Sequence, residues 1–107
     1  MDDKYLKPVS KISFEIIAHA GDARSFAFQA LSEAKKGNFK EADELMKKAD
    51  ESENLAHHAQ TDLLVNEMNG VHTDVDVLLV HSQDHLMTSM LAKELIQEMI
   101  EMYRNNV

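Results

Sequence analysis

The sequence has 107 residues, which suits one domain, and its three Gly, one Pro and no Trp leave few helix breakers. The net charge of −8 argues against binding to nucleic acid or to an anionic membrane surface, because both need clusters of Lys and Arg. The absence of Cys excludes a disulfide framework and a thiolate metal site.

The pattern of apolar residues predicts a protein that is not inserted in a membrane. No apolar run approaches the ~20 residues that cross a bilayer. The first eight residues are largely charged and lack the apolar region of a signal peptide. We therefore expect a cytoplasmic protein, with residues 1–8 as a flexible N-terminal tail and residues 9–107 as a single domain.

The first predicted helix begins near Val9 and ends at Gly37, a residue type that commonly stops a helix. Within it, Gly21 interrupts the pattern and indicates either close contact with another helix or a break. The apolar residues recur at helical spacing: Val9, Ile12, Ile16, Ile17, Ala20, Ala23, Ala27, Ala30, Leu31 and Ala34.

The second predicted helix starts at Asn38, which is spaced from Glu41 as a capping pair, and ends near Asn69-Gly70. Residues 77–80 are apolar and include two β-branched valines, so they are either extended or the start of a third helix. From Ser82 the helical pattern is firm up to Tyr103.

Three helices joined by short loops predict an all-α fold, an antiparallel three-helix bundle. Apolar residues outside the main stripes favour self-association. These residues are Phe14, Phe26, Phe28, Val65, Met102 and Tyr103.

The segment Val80–Met87 holds two imidazoles and a carboxylate within five residues. On a helix, Asp84 shares a face with Val77, Val80, Met87 and Leu91. A buried lone carboxylate is unfavourable unless it is paired or bound to metal. Two interpretations stay open: an Asp that favours the helix N-terminal dipole, or carboxylates from several subunits around a hard divalent cation.

His81 and His85 are four residues apart and share a helical face. Two His at this spacing bind zinc in one metalloprotease motif, but the Glu expected after the first His is replaced by Ser82. Alternatively, one ring is a nucleophile that forms a phosphoramidate and the other assists. We expect a phosphoryl group on His81 to lie near free N–H groups at the start of the third helix.

Four segments in chain order, over roughly residues 12–104, resemble a known family. They are Ala20-Gly21-Asp22-Ala23-Arg24-Ser25; Ala34-Lys35-Lys36-Gly37-Asn38-Phe39 with Ala42; Ala56-His57 with Gln60-Thr61; and His81-Ser82-Gln83-Asp84-His85-Leu86-Met87-Thr88. The chain resembles the enzyme IIA component of the lactose/cellobiose class of the bacterial sugar phosphotransferase system. That family usually has Ala or Gly where this chain has Ser82.

The resemblance implies a homotrimer of three-helix subunits that carries a phosphoryl group on His81. The histidine phosphocarrier protein would donate this group, and a cysteine of the IIB component would receive it during uptake of a β-linked disaccharide such as lactose, cellobiose or chitobiose. The resemblance places Gln83 and His85 beside the phosphoryl group. It places Asp84 at the trimer axis as a ligand of a divalent cation, Mg²⁺.

Two other functional classes compete with this interpretation. A two-component histidine phosphotransfer domain is also helical, but such domains usually carry Lys and Gly shortly after the His, and residues 82–86 contain neither. A metal-binding or purely structural helical oligomer would use Asp84 without any phosphoryl chemistry.

Overall fold

The computed structural model describes residues 8–106, which form three helices. α1 spans Pro8–Lys35, α2 spans Phe39–Met68 and α3 spans Val77–Asn105. Apart from Pro8, the predicted tail lies outside the described residues. Pro8 opens α1, a position that suits proline because the first helical N–H has no acceptor within the helix.

Two buried clusters show how the helices run. One joins the end of α1 with the beginning of α2 and the end of α3, through Ala30, Ala42 and Ile100. The other joins the beginning of α1 with the end of α2 and the beginning of α3, through Ile16, Ala59 and Leu86. α1 is therefore antiparallel to α2 and parallel to α3, which confirms the predicted bundle.

Alanine dominates the buried surface of α1 and α2. Small side chains let two helix backbones approach closely, so α1 packs extensively against α2 as well as against α3, whereas α2 and α3 meet less. The buried apolar residues of these two helices are Ile16, Ala20, Ala23, Ala27, Ala30, Ala34, Ala42, Met46, Ala49, Ala56 and Ala59.

Glycine ends the first two helices as the sequence predicts. Gly37 and Gly70 have φ angles of +84° and +82°, a left-handed conformation that residues with a Cβ rarely adopt. The predicted N-cap position of α2, Asn38, is confirmed, but the predicted capping bond is wrong, because the Asn38 side chain makes none. Its amide donates instead to Glu33, at 2.9 Å, and this hydrogen bond lowers the pKa of Glu33.

α3 already begins at Val77, which settles the open alternative for residues 77–80 in favour of helix. The cap is Asp76, whose Oδ1 accepts a 2.7 Å hydrogen bond from the N–H of Leu79. The residues that α3 buries are not simply the apolar residues by which its sequence is recognised as a helix. Ser82 and Ser89 lie in the core, whereas Met87 and Leu91 are exposed.

Charged contacts join α2 to α3. Nζ of Lys93 lies 2.6 Å from Oδ1 of Asp50 and 2.6 Å from Oε2 of Glu53. Nearer the end of α3, Arg104 pairs with Asp43 at 2.6 Å and stacks over the ring of Phe39. Within residues 8–106, none of the three helices contains a stretch with the length and hydropathy of a membrane span.

Candidate functional site

His81, Asp84 and His85 form one cluster on α3, one turn beyond the beginning of the helix. Nδ1 of His81 lies 3.2 Å from Oδ1 of Asp84, and both side chains are more than half exposed. The ring of His85 lies one turn further on, with its centroid 5.7 Å from that of His81 and its plane tilted by 35°. The structure thus brings together three of the four predicted site residues.

The contact between His81 and Asp84 distinguishes the two ring nitrogens. An ionised carboxylate attracts a proton donor, so its position 3.2 Å from Nδ1 favours the form of His81 that carries the proton on Nδ1. In the neutral ring the lone pair then lies on Nε2. Nε2 is therefore the nitrogen that can act as a nucleophile or bind a metal.

Gln83 lies on a different face of α3 from His81, as expected for residues two apart on a helix. Its Oε1 accepts a hydrogen bond from Nε2 of Gln60 on α2. Its Nε2 donates to Oγ of Ser82, at 3.2 Å, and that hydroxyl donates to the carbonyl of Leu79, at 2.6 Å. Because a carbonyl can only accept, the last bond fixes the direction of the whole chain of hydrogen bonds.

The beginning of α3 is not an open anion site in this structure. The expected free N–H groups include that of Leu79, and it is already bound by the Asp76 carboxylate. Asp76 also brings a negative charge to the end of the helix dipole that would otherwise favour a phosphoryl group. Support for a charged group on His81 must therefore come from side chains around it.

The loop before α3 is held by Glu67 at the end of α2. Its Oε1 lies 2.8 Å from Nδ1 of His72, and its Oε2 accepts a 3.3 Å bond from the N–H of Thr73. The hydrogen bond from His72 is the main reason that the pKa of Glu67 lies below its ordinary value. These contacts tie the residues that lead into α3 to the helix before it.

Gly21 on α1 faces the site, although the sequence indicated only a close contact or a break. A Cβ added at Gly21 would lie 3.4 Å from Nε2 of His85. α1 continues without a break through this position. The close-contact interpretation of Gly21 is therefore confirmed, and its partner is a site residue.

Asp84 lies in the middle of an exposed apolar stripe on α3. The stripe residues are spaced by three, four or seven positions, which places them along one side of the helix, and each is more than half exposed: Val77, Val80, Met87, Leu91, Leu95 and Met102. Within residues 8–106, no three His, Asp or Glu side chains converge as a metal site. On this face one chain offers Asp84 beside His81, and Glu98 lies further along, between Leu95 and Met102.

Comparison with known proteins identifies the family. The sequence profile described as "PTS system, Lactose/Cellobiose specific IIA subunit" matches residues 11–104. A relative from Staphylococcus epidermidis, "PTS system lactose-specific EIIA component", is 44% identical over 96 residues, which cover 90% of this chain and 92% of the relative. The chain belongs to the lactose/cellobiose-specific IIA family and is a component of a phosphotransferase.

Solved structures support the same family. The chain is similar to the crystal structure of a cellobiose-specific enzyme IIA from Bacillus anthracis, with a TM-score of 0.91 and 45% identity over 97% of this chain and 95% of that one. It is also similar to IIA(Chitobiose) of Escherichia coli, solved in solution as a complex with HPr. That comparison has a TM-score of 0.80 and 39% identity, and covers 94% of this chain and 97% of the other.

Proposed function

We propose that the chain carries a phosphoryl group on Nε2 of His81, taken from a histidine phosphocarrier protein and passed to a cysteine of a IIB component. The observation that carries this proposal is the exposed imidazole of His81, whose Nδ1 lies 3.2 Å from the Asp84 carboxylate, an arrangement that favours a lone pair on Nε2. A phosphoryl carrier needs such a nucleophile within reach of two partners in turn. The complex of the Escherichia coli relative with HPr supports the first partner.

The proposed reaction consists of two in-line transfers. In the first, Nε2 of His81 forms a bond to phosphorus as the bond between phosphorus and the donor histidine breaks. The ring then carries a positive charge, which the Asp84 carboxylate at Nδ1 stabilises. In the second, a cysteine thiolate of the IIB component attacks the phosphorus and the ring returns to its neutral form. Positioning and charge stabilisation are the main demands of both steps.

Two further residues enter this proposal with separate roles. His85 is the ring next to His81 and is close enough to support the phosphoryl oxygens. Gln83 is bound to Gln60 and Ser82, so it acts from the side of the site that faces α2. The substrate of uptake is a β-linked disaccharide, in keeping with the names of the relatives, which include lactose and cellobiose.

We also propose that the chain assembles as a homotrimer through the exposed stripe of α3. Packing three copies of the stripe around an axis would bury its apolar residues and bring three Asp84 carboxylates together. Carboxylate oxygens suit a hard divalent cation such as Mg²⁺, which would neutralise their mutual repulsion. Asp84 has two oxygens, so one can bind His81 while the other faces the axis.

A phosphorylation assay tests the function directly. The protein is incubated with phosphoenolpyruvate, the general phosphotransferase components and the phosphocarrier, and the acid-labile adduct is located by mass spectrometry. We expect one adduct on His81, no adduct in His81→Ala, and full labelling of the matched control His58→Ala, which removes another exposed imidazole. Labelling that persists in His81→Ala would overturn the proposal.

A second stage of the assay tests the recipient. The labelled protein is mixed with a purified IIB component and with a variant of it in which the acceptor cysteine is replaced by serine. We expect loss of label from His81 with the intact IIB component only. Equal loss with both forms would exclude the cysteine as the acceptor.

A further inference from the structure

Gly21 occupies a position in the middle of α1 where glycine weakens a helix. Its backbone does not require glycine, because the positive φ angles among the described residues belong to Gly37 and Gly70. The reason for glycine at this position must therefore lie in what a side chain would touch. That makes the surroundings of Gly21 informative about the site.

The atom that a side chain at position 21 would meet is Nε2 of His85. An added Cβ would lie 3.4 Å from it, and no other atom outside the helix's own backbone and the neighbours of Gly21 lies within 4 Å. The half-buried ring of His85 therefore presents its Nε2 edge to the backbone of α1. The same ring lies beside that of His81, with 5.7 Å between the centroids.

We infer that Gly21 is a positioning residue for phosphoryl transfer, because it seats the imidazole of His85 beside His81 and leaves Nε2 of His85 uncovered. A methyl group at position 21 would lie in van der Waals contact with this nitrogen, at 3.4 Å, and would cover it without displacing the ring. The ring could then no longer offer Nε2–H to the oxygens of a phosphoryl group on His81. This inference rests on the proposed function of His81 and assigns a role in it to α1.

The substitution Gly21→Ala separates this role from ordinary helix stability. Alanine favours helix over glycine, so thermal unfolding of the variant should occur at the same temperature or higher. Phosphoryl transfer from the phosphocarrier to His81 should nevertheless become slower, by about fivefold, because the methyl group covers the Nε2–H that would help to position the phosphoryl group. Ser32→Ala is the matched control, an exposed change on α1 that should alter neither transfer nor the His85 ring.

Two further measurements make the test specific for His85. In the unphosphorylated protein, NMR should detect nuclear Overhauser contacts between the Gly21 Hα protons and the His85 ring, and Gly21→Ala should shift the ring signals. In a His85→Asn background, where the ring is absent, Gly21→Ala should have no effect on the rate. Unchanged ring signals, an unchanged rate of transfer, or equal slowing in the His85→Asn background would each overturn the inference.

The two proposals fail in distinguishable ways. If the protein takes no phosphoryl group on His81, the proposed function fails and the role of Gly21 in transfer fails with it. If His81 is labelled normally but Gly21→Ala changes neither the ring signals nor the rate, only the role of Gly21 fails.

Discussion

The arrangement of His81, Asp84 and His85 could be predicted at the level of individual residues, because offsets of three and four place side chains together on any helix. The same rule explains why Gln83, two residues from His81, faces α2 instead. Its partner Gln60 is 23 positions away. Local periodicity carries no information about such a contact, since it depends on how α2 and α3 pack.

The contact between Gly21 and His85 was predictable only in part. A glycine inside an otherwise regular helical pattern indicates that something lies close to the backbone. Which residue lies there depends on the register between α1 and α3, and the sequence gives no measure of that register. The structure supplies it by placing Nε2 of His85 opposite Gly21.

The cluster of Lys93 with Asp50 and Glu53 gives a prediction for stability. Replacing Lys93 by Met leaves both carboxylates without their partner, and the side chain of Glu53 is only 15% exposed. We expect the free energy of unfolding to fall by ~1–3 kcal/mol at pH 7, the range for lost hydrogen bonds to charged groups. Urea unfolding measures this loss, and the exposed Lys47→Met should change stability little. Equal effects of the two substitutions would contradict the prediction.

The same cluster predicts how the difference depends on pH. Burial lowers the pKa of Lys93, but the hydrogen bonds from Lys93 to Asp50 and Glu53, together with the charges of these two residues, outweigh it, so the pKa is raised above 10.5. The stabilisation is therefore complete below pH 10.5 and is lost as the pH rises through the higher folded-state value. The gap in stability between the native protein and Lys93→Met should shrink in that alkaline range and stay constant below it.

At the level of helices, the sequence predicts where each helix begins and ends better than it predicts the hydrogen bonds at those ends. Gly37 and Gly70 mark the ends of α1 and α2, because a helix commonly stops at a residue with a left-handed backbone and glycine adopts that conformation most easily. Asn38 is the N-cap of α2 as predicted, but its side chain makes no capping bond, because it binds Glu33 on the preceding helix, an acceptor that the capping rule does not consider. The start of α3 stayed open because β-branched residues occur in both strands and helices.

The cap of α3 allows a test by substitution. Asp76→Ala removes the acceptor of the Leu79 N–H, and we expect a loss of about 1 kcal/mol in the free energy of unfolding. Asn38→Ala is the matched control, because it removes an N-cap side chain that makes no capping bond. Thermal and urea unfolding compare the two. A loss in Asn38→Ala as large as that in Asp76→Ala would refute this account of the two caps.

The buried face of α3 illustrates what periodicity leaves undecided. Apolar residues surround much of this helix, so two faces qualify for the core. The structure buries Ser82, Leu86, Ser89, Ile96 and Ile100 and leaves the other face exposed. Small side chains such as serine permit close contact between α3 and α1. The pattern of hydrophobic residues does not show that such close contact is needed.

At the level of the whole molecule, the three-helix architecture was predictable because long helical patterns are joined by short breaks. Assembly is not contained in a single chain, yet the exposed stripe of α3 indicates where it would occur. The stripe combines apolar residues with two carboxylates, Asp84 near the beginning of the helix and Glu98 towards its end. An isolated chain would leave this apolar surface in water, which favours association.

The proposed trimer predicts that stability depends on protein concentration. Light scattering should give three times the mass of the chain, and the unfolding temperature should rise with concentration, because association stabilises the folded state by mass action. A monomer at all concentrations would contradict the trimer.

The substitution Asp84→Leu tests the proposed cation. Replacing a buried charge with an apolar side chain is often neutral or stabilising, by ~1–4 kcal/mol. We therefore expect Asp84→Leu to form trimers that are insensitive to a chelator, whereas the native trimer should loosen when divalent cations are removed. The exposed Asp62→Leu on α2 should behave like the native protein. Equal metal content in Asp84→Leu and the native chain would exclude Asp84 as a ligand.

The alanine contact between α1 and α2 also limits how this sequence can diverge. At Ala20, Ala27 and Ala49 the side chain is fully buried, so a larger residue would act as a wedge between two backbones. Glycine or serine would fit but would weaken the helix. These positions therefore accept smaller residues at some cost in stability, but no larger ones. Adaptation to a new partner or sugar pathway would have to occur on the outer faces of the helices, while this contact stays nearly unchanged.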